Sequence, residues 1–567
     1  MTVFSDPATG TALCEALQAV EARVAFGLPG TQNFSWFDAL RRSPIRTIVP
    51  SHELAASFMA GAYGRVSGRP GILMTIPGPG FAFALPGLAE ARLDSAPIVF
   101  VVLAPPTGPH QRFLHQALDQ AAIAGPLVKA CIQVARPDDV GAAIRRAHHL
   151  SLADEPGPVM VQLGVTGPVQ PRTSADSSSL HGSGRTAARE IWARLRSAQR
   201  PVLFLGQGCA GAAPAIEALV RSSRIPVFTT VSGRGVLPEN SPYCLSFDTL
   251  RQSAAILNSF LATADLVVAV GARLAHNGTA GFGIKIPRER LAHVDTSPDS
   301  LNAMYPADLV AQCSAEEFFA LADPQTATQS AWDVDELREW RDRVKAPRPR
   351  DPEPLVIGDK APAFFERLRA ALPDDAILTT DTGMHQILTR RYFEVRSPNG
   401  LLIPTDLQSM GFGMPAAIAA KLACPDRPVV ALIGDGGAFM SGLELATAVR
   451  ERIAVTVIVF NDGFLNQIRI RQIRDNGVGA GVDLPHFDFA ALAATTGATY
   501  YRAGADVGAL LTTLVKGPGV NIVDVPVGDS PAIRASEYLA RTKSAARFLL
   551  GKRMTDFAKR ILRRAPR

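Results

Sequence analysis

Two carboxylates stand out for what their surroundings would let them do. Asp435 lies in Gly434-Asp435-Gly436-Gly437, directly after the apolar run Val429 to Ile433. Asp462 follows a second apolar run, Val455 to Phe460, in Asn461-Asp462-Gly463. A strand, a Gly-Asp-Gly turn, a helix, a strand and a polar pair are read in that order. The order puts both acids at the carboxyl ends of strands, where open α/β sheets place their ligands. Two hard oxygen donors beside glycines suit a divalent ion such as Mg2+, which takes one or two carboxylates and leaves its other positions to phosphate and water. Gly434, Gly436 and Gly437 would let backbone N–H groups approach phosphate oxygens with no side chain in the way. The chemistry expected is a diphosphate held through a metal.

A third acid lies far away in sequence. Glu53 sits in VPSHELAASFMAGAYGRVSGRPGILMTIPGPG, residues 49 to 80, where a strand end meets a helix. The apolar neighbours Leu54, Ala55, Ala56, Phe58 and Met59 suit a carboxyl in a low-dielectric setting with a raised pKa. An ordinary acid at a helix N-terminus is the plainer alternative.

Together these stretches resemble the thiamine-diphosphate (ThDP) enzymes, in the acetolactate synthase and pyruvate oxidase branch. The resemblance implies that Asp435, Asp462 and the carbonyl of Phe464 hold Mg2+, with Asp462 where many members have Asn. Leu465 follows in the same cofactor loop. Glu53 matches the glutamate that shares a proton with the cofactor's aminopyrimidine. The segment LQSMGFGMPAAIAAKLA, residues 407 to 423, is similar to GTMGFGLPAA. It implies that Met410 wedges under the cofactor, which is preorganisation by proximity, and that the Gln408 carbonyl accepts from the aminopyrimidine. TTDTGMHQ (379 to 386) resembles TDVGQHQ and places Gly383, Met384 and His385 on the diphosphate. FGLPGTQN (26 to 33) resembles FGYPGG, a loop closing over the reacting carbon, and includes Gly30. FLHQALDQAAIAGPLVK (113 to 129) resembles FQEADIVGITRPVTK, so Gln116 matches the family's Gln and His115 replaces its Phe. His115 is then either an acid or base in the site or a packed histidine outside it.

The activity implied is decarboxylation of a 2-oxo acid followed by ligation to a second carbonyl. Simple decarboxylation or 2-hydroxyacyl cleavage by a specialised lyase is the rival, and a non-catalytic subunit is a weaker one. Arg471, in IRIRQ (468 to 472) where the family reads VRQWQ, and Gln467 just before that segment would line a polar, cationic substrate pocket. The family's site forms between two subunits, so a homodimer is the minimum and a homotetramer is common.

The elements needed to position these residues are legible. The fold class is α/β, with three doubly wound parallel-sheet domains and a basic C-terminal helical tail. The domains span 1–172 (pyrimidine-binding), 186–325 (central, Rossmann-like) and 358–530 (diphosphate-binding), with the tail over 531–567. Pro-, Ser- and Gly-rich stretches separate them. In the central domain Gly206-Gln207-Gly208 and Gly271-Ala272-Arg273 end two apolar runs. Members of the family bind FAD there, or ADP, or nothing. GARFDDR reads GARLAHN here, so a structural spacer is favoured over FAD.

Of 567 residues, 47% are hydrophobic and 19% charged, a normal globular balance. No apolar run reaches the eighteen residues of a membrane span, and no secretory signal opens the chain. Six cysteines without metal-ligand spacing read as reduced thiols of a cytoplasmic protein. The tail carries eleven Lys or Arg against two acids, so it accounts for the net +6 of the whole chain. Ala546, Leu550, Met554, Phe557 and Ile561 recur there at helical spacing. A helix packed on the protein itself is favoured over membrane-surface or partner docking, and nucleic-acid binding is not expected, since no aromatics interleave the charges.

Overall fold

In the computed structural model, residues 5–106, 114–165, 172–173, 181–245, 253–322, 329–345, 353–539 and 541–542 are described. Apolar, β-branched runs bounded by Gly and Pro become strands, and the stretches between them become helices on both faces. The first sheet holds β1 (Val24–Gly27), β2 (Arg46–Ile48), β3 (Gly71–Thr75), β4 (Ile98–Leu103), β5 (Ala130–Val134), β6 (Pro158–Leu163) and β7 (Arg172–Thr173). Its order is 2-1-3-4-6-5-7, parallel except for β7. The central sheet holds β8 (Pro201–Leu205), β9 (Val227–Thr229), β10 (Leu266–Val270), β11 (Leu291–Asp295) and β12 (Leu309–Gln312), in the order 12-11-10-8-9 and wholly parallel. The third sheet begins with the short antiparallel strands β13 (Leu355–Val356) and β14 (Asp359–Lys360). Its body is β15 (Ile377–Thr380), β16 (Leu401–Leu402), β17 (Val429–Gly434), β18 (Thr456–Asn461), β19 (Thr499–Arg502) and β20 (Asn521–Gly528). There the order runs 16-15-17-18-20.

In all three sheets the chain winds outward one way from the first strand, then returns and winds the other. The crevice lies where it turns: between β1 and β3, between β8 and β10, and between β15 and β17. Each of these places carries residues singled out from the sequence.

The first and third sheets share one core. The helix Gly413–Ala423 packs on the helix Glu53–Ser67, and Phe412 meets Phe58 edge-on at 5.6 Å. Both helices are rich in small buried residues (Ala55, Ala56, Ala60, Ala416, Ala417 and Ala420), which suits a close approach. Buried charges join the two units as well. Arg65 pairs with Asp94 at 3.0 Å, Asp94 accepts from the Thr405 N–H, and Glu90 accepts from the Ser409 N–H at 3.1 Å. These contacts fix the segment that leads into Met410.

The central unit runs on past residue 325. The helix Val334–Lys345 packs Leu337 into its core beside Trp332. Residues 531–539 are helical. The tail positions named above, Ala546 to Ile561, lie outside the described residues. Among the described residues no helix is long and apolar enough to cross a membrane. All six cysteines are free thiols, four of them buried.

Candidate active site

At the crevice of the third sheet, β17 ends on Gly434 and Asp435 starts a short helix, while β18 ends on Asn461. Asp435 Oδ2 accepts the N–H groups of Gly463 (2.7 Å) and Asp462 (3.2 Å), which ties the two strand ends together. Asp462 accepts from the Phe464 N–H at 3.0 Å and from Asn466 Nδ2 at 2.8 Å. Burial raises the pKa of both acids. Asp462 reaches about 7 through burial and the neighbouring Asp435. Two desolvated carboxyls side by side are an arrangement that a bound cation relieves. Among the described residues no cluster of three or more His, Cys, Asp or Glu side chains could hold a metal. A site here would use two carboxylates and a carbonyl.

A pocket of about 170 Å³ opens over these acids. It is lined by Gly383, Met384, His385, Met410, Gly434, Asp435, Gly436, Gly437, Asp462, Phe464, Leu465 and Gln467, all expected there from the sequence. The glycines serve the packing as much as any ligand. A Cβ on Gly434 would stand 3.0 Å from the His385 ring, and one on Gly437 1.9 Å from Asp381 Oδ2. A Cβ on Gly436 would reach Leu465 at 3.0 Å and Met410 Cε at 3.2 Å, so the Met410 side chain lies over the Gly-Asp-Gly turn. His385 is buried, and desolvation lowers its pKa to about 3, so the ring is neutral. His385 Nε2 and Thr382 Oγ1 are buried without a hydrogen-bond partner in the protein, and both residues line the pocket. Unsatisfied polar atoms beside paired acids fit a metal-bound diphosphate.

Glu53, Gly30 and Gln116 are brought together elsewhere, at the crevice of the first sheet. Glu53 opens the helix Glu53–Ser67, behind His52, whose Nδ1 accepts the Leu54 N–H at 3.1 Å. Glu53 Oε1 would lie 3.3 Å from a Cβ on Gly80; Ile76 presses on both Gly80 and Gly30. Gln116 packs on Gly78, where a Cβ would come within 2.7 Å of it. Glu53 is half-buried, not enclosed, in the single chain, and neither it nor Gln116 lines the pocket over Asp435. His115 is exposed beside Gln116.

Sequence comparisons agree with this layout. The C-terminal TPP binding domain of thiamine pyrophosphate enzymes matches residues 381–525, the N-terminal TPP binding domain residues 8–123, and the central domain residues 188–321. The chain is 31% identical to the probable 2-ketoarginine decarboxylase AruI of Pseudomonas aeruginosa, over 81% of this chain and 83% of that protein. The chain belongs to the thiamine pyrophosphate enzyme family. Other relatives are the acetolactate synthase isozyme 1 large subunit of Escherichia coli and the acetolactate synthase large subunit of Parasynechococcus marenigrum. The first is 28% identical over 89% of this chain and 91% of that protein, and the second 30% over 81% and 76%. This thiamine pyrophosphate enzyme is accordingly a ThDP-dependent carboligase or decarboxylase.

One expected site residue stands apart from the pocket in the single chain. Arg471 does not enter the pocket: its side chain is 75% exposed and leans on Asp475 at 3.7 Å. The reason is helical phase. Asn466, Arg469 and Ile473 form the buried stripe of the helix Asn466–Asn476, and Arg471 lies opposite it. The arginine that matters locally is Arg469. It forks onto Asp529 at 2.7 and 2.8 Å and lies 4.4 Å above the Phe464 ring. Gln408 adopts φ +65° and donates its side chain to the Thr405 carbonyl at 2.7 Å; it stands outside the pocket lining.

Asp381 escaped the sequence reading. It is fully buried behind the pocket with its pKa raised by desolvation to about 6. It accepts from the backbone of Gly411, Phe412 and Gly413, and so fixes the turn that follows Met410. Asp-Thr-Gly after an apolar run was a visible signal.

The enzyme's second cavity, about 360 Å³, lies at the carboxyl end of the central sheet. Both glycine N–H groups of its Gly-Gln-Gly turn are already bonded. Gly206 N–H donates to Val270, Gly208 N–H to Gly271 and Cys209 N–H to Gly206, at 2.9 to 3.2 Å. A Cβ on Gly206 would stand 1.9 Å from the Gly271 carbonyl oxygen, so these glycines permit strand contact. Arg273 is held by Asp406 at 2.9 Å and Glu155 at 3.3 Å. It is the only lining Lys or Arg among the described residues, against Asp154, Glu155, Asp295, Glu316 and Asp406.

Proposed function

We propose that the chain is a ThDP- and Mg2+-dependent, acetolactate-synthase-like carboligase acting on a 2-oxo acid. The observation that carries it is the pair Asp435 and Asp462, desolvated and tied together beneath Met410, at the crevice of the third sheet. Asp435, Asp462 and the Phe464 carbonyl hold Mg2+. Thr382 Oγ1 and His385 Nε2, which lack a hydrogen-bond partner in the protein, would bond the diphosphate. Met410, over the Gly-Asp-Gly turn, would support the bound cofactor, and Asp381 fixes the turn that follows Met410. Bound thiamine diphosphate supplies the electron sink for losing CO2 from a 2-oxo acid.

Glu53 holds the proton shared with the pyrimidine nitrogen, and it comes from a second copy of the chain. Two observations support that assembly. Glu53 and Gln116 lie outside the pocket over Asp435. Large apolar side chains are also exposed on the two site-bearing units: Phe34, Phe83 and Leu118 on one, Phe439, Met440 and Leu443 on the other. A homodimer is thus the working unit, and a homotetramer is compatible with it. A structural spacer is favoured over FAD in the central domain: the lining Arg273 is held by two carboxylates, and the Gly206 and Gly208 N–H groups are bonded to neighbouring strand ends. A cytoplasmic location accords with six free thiols.

Decarboxylation without ligation is the second reading, supported by the similarity to a protein named for 2-ketoarginine decarboxylase. One panel tests both. Pyruvate, 2-oxobutanoate and 2-ketoarginine are supplied with ThDP and Mg2+, and CO2 and product mass are followed. A five-carbon hydroxy-oxo acid from pyruvate supports the first reading. An aldehyde in step with CO2 supports the second. Silence across the panel contradicts both.

A further inference from the structure

Gln32 is a residue to which nothing above gives a role, yet it stands against the site. Its Nε2 donates to Gln116 Oε1 at 2.6 Å, across 84 residues of sequence. Its own Oε1 accepts from the Thr31 hydroxyl at 3.2 Å. The loop carrying it is stiff. Asn33 is fully buried, takes the Gly30 N–H at 2.7 Å on Oδ1, and donates Nδ2 to the Leu28 carbonyl at 3.3 Å. Gly30 is pressed on Ile76, within 2.6 Å of a would-be Cβ. Gln116 is stiff too. It sits at φ +58° against Gly78 at φ +65°, so neither backbone relaxes without losing this contact.

An amide has one oxygen acceptor and two N–H donors on nitrogen. Gln32 holds the Gln116 amide by its Oε1, and both N–H donors on Nε2 remain to be offered to a ligand. We propose that Gln32 is a positioning residue that turns the Gln116 amide so that its N–H groups face the reaction centre. There they donate to a negatively charged oxygen of the 2-oxo acid, its carboxylate or the oxygen that gains charge as the carbonyl is attacked. The relay runs from Thr31 through Gln32 to Gln116. Were the amide reversed, Gln116 would present an acceptor and repel the same oxygen. This inference rests on the reading of the chain as a 2-oxo-acid enzyme and names which atom meets the substrate.

The test is a double-mutant cycle on the full-length enzyme with ThDP and Mg2+, comparing Gln32→Met, Gln116→Met and the pair. Gln32 is half-exposed, so Gln32→Met keeps the fold. Each single variant is expected to lower kcat/KM by about 10-fold or more, with ThDP affinity from fluorescence quenching unchanged. Because Gln32 acts through Gln116, the pair is expected to be no worse than Gln116→Met alone. Gln116→Glu keeps the acceptor for Gln32 but loses both donors, and is expected to be as impaired as Gln116→Met. Additive losses in the pair, or full activity in Gln116→Glu, overturn the inference and leave the functional reading standing. A wild-type enzyme with no turnover of any 2-oxo acid overturns both.

Discussion

Asp435 Oδ2 and the Gly463 N–H are 2.7 Å apart, so the two acids of the third sheet are fixed to each other before any ligand arrives. The strand ends that bear them cannot separate without breaking this bond. A preformed pair of this kind concentrates negative charge where water is scarce, and a divalent cation is its natural complement. Asp435→Ala removes both the ligand and the tie. Mg2+-dependent ThDP affinity is expected to fall about 100-fold or more, measured by calorimetry. Asp462→Asn keeps an oxygen ligand, and its affinity is expected to stay within about 10-fold.

The same pair predicts a pH dependence. Both carboxyls are raised, Asp462 to about 7. The metal-free folded protein therefore keeps protons that the unfolded chain releases above about pH 4. Its stability falls as pH rises from about 4 through 7. Mg2+ needs the ionised acids, so cofactor affinity rises toward and through pH 7. Thermal melts at pH 5 and pH 8, with and without Mg2+ and ThDP, should show the stabilisation growing with pH. Asp462→Asn should flatten that trend.

Gly437 is held small by Asp381. A methyl group at Gly437 would collide with Asp381 Oδ2 at 1.9 Å, and Asp381 in turn anchors the turn beside Met410. Gly437→Ala is expected to cost about 1–3 kcal/mol of stability and to weaken ThDP binding as well. Denaturant melts and a ThDP titration check the two effects separately.

Neighbouring arginines should behave in opposite ways. Arg471 faces solvent, and Arg471→Ala is expected to leave kcat/KM and substrate preference within about 2-fold. Arg469 is bound to Asp529 and covers Phe464, and Arg469→Met is expected to cost about 1–2 kcal/mol. Steady-state kinetics and melting curves for the two variants decide the matter.

A site shared between two copies makes two dead variants complement each other. Glu53→Gln and Asp435→Ala damage different surfaces of the chain. Mixed after mild dissociation, they are expected to recover up to roughly a quarter of wild-type activity, through hybrid dimers with one intact site. No recovery would mean that each chain builds its own site.

Much of this was legible in the sequence because the site residues sit in short local patterns. Asp435, Asp462 and Met410 each follow or precede an apolar run, and strand ends are where such runs stop. What escaped was contact between distant segments. Asp94 and Thr405 are 311 residues apart, and Gln32 and Gln116 are 84, so no local spacing announces either pair. Asp381 was passed over because its partners are backbone groups, which every residue has. Arg471 stands away from the single-chain pocket for a different reason. Matching a position to a family pattern fixes the residue but not the phase of its helix, and here the buried stripe runs through Arg469. Side-chain pairing in the central domain was equally silent, since Gly-Ala-Arg reads the same whether its arginine is free or held by Asp406.

The most direct measurement is turnover by protein dialysed against EDTA, with ThDP and Mg2+ restored singly and together, for the wild type and Asp435→Ala. CO2 release from a 2-oxo acid should require both additions in the wild type and should be absent in the variant. Turnover without either addition, or undiminished turnover in Asp435→Ala, would contradict the assignment of Asp435 and Asp462 to a metal-held diphosphate.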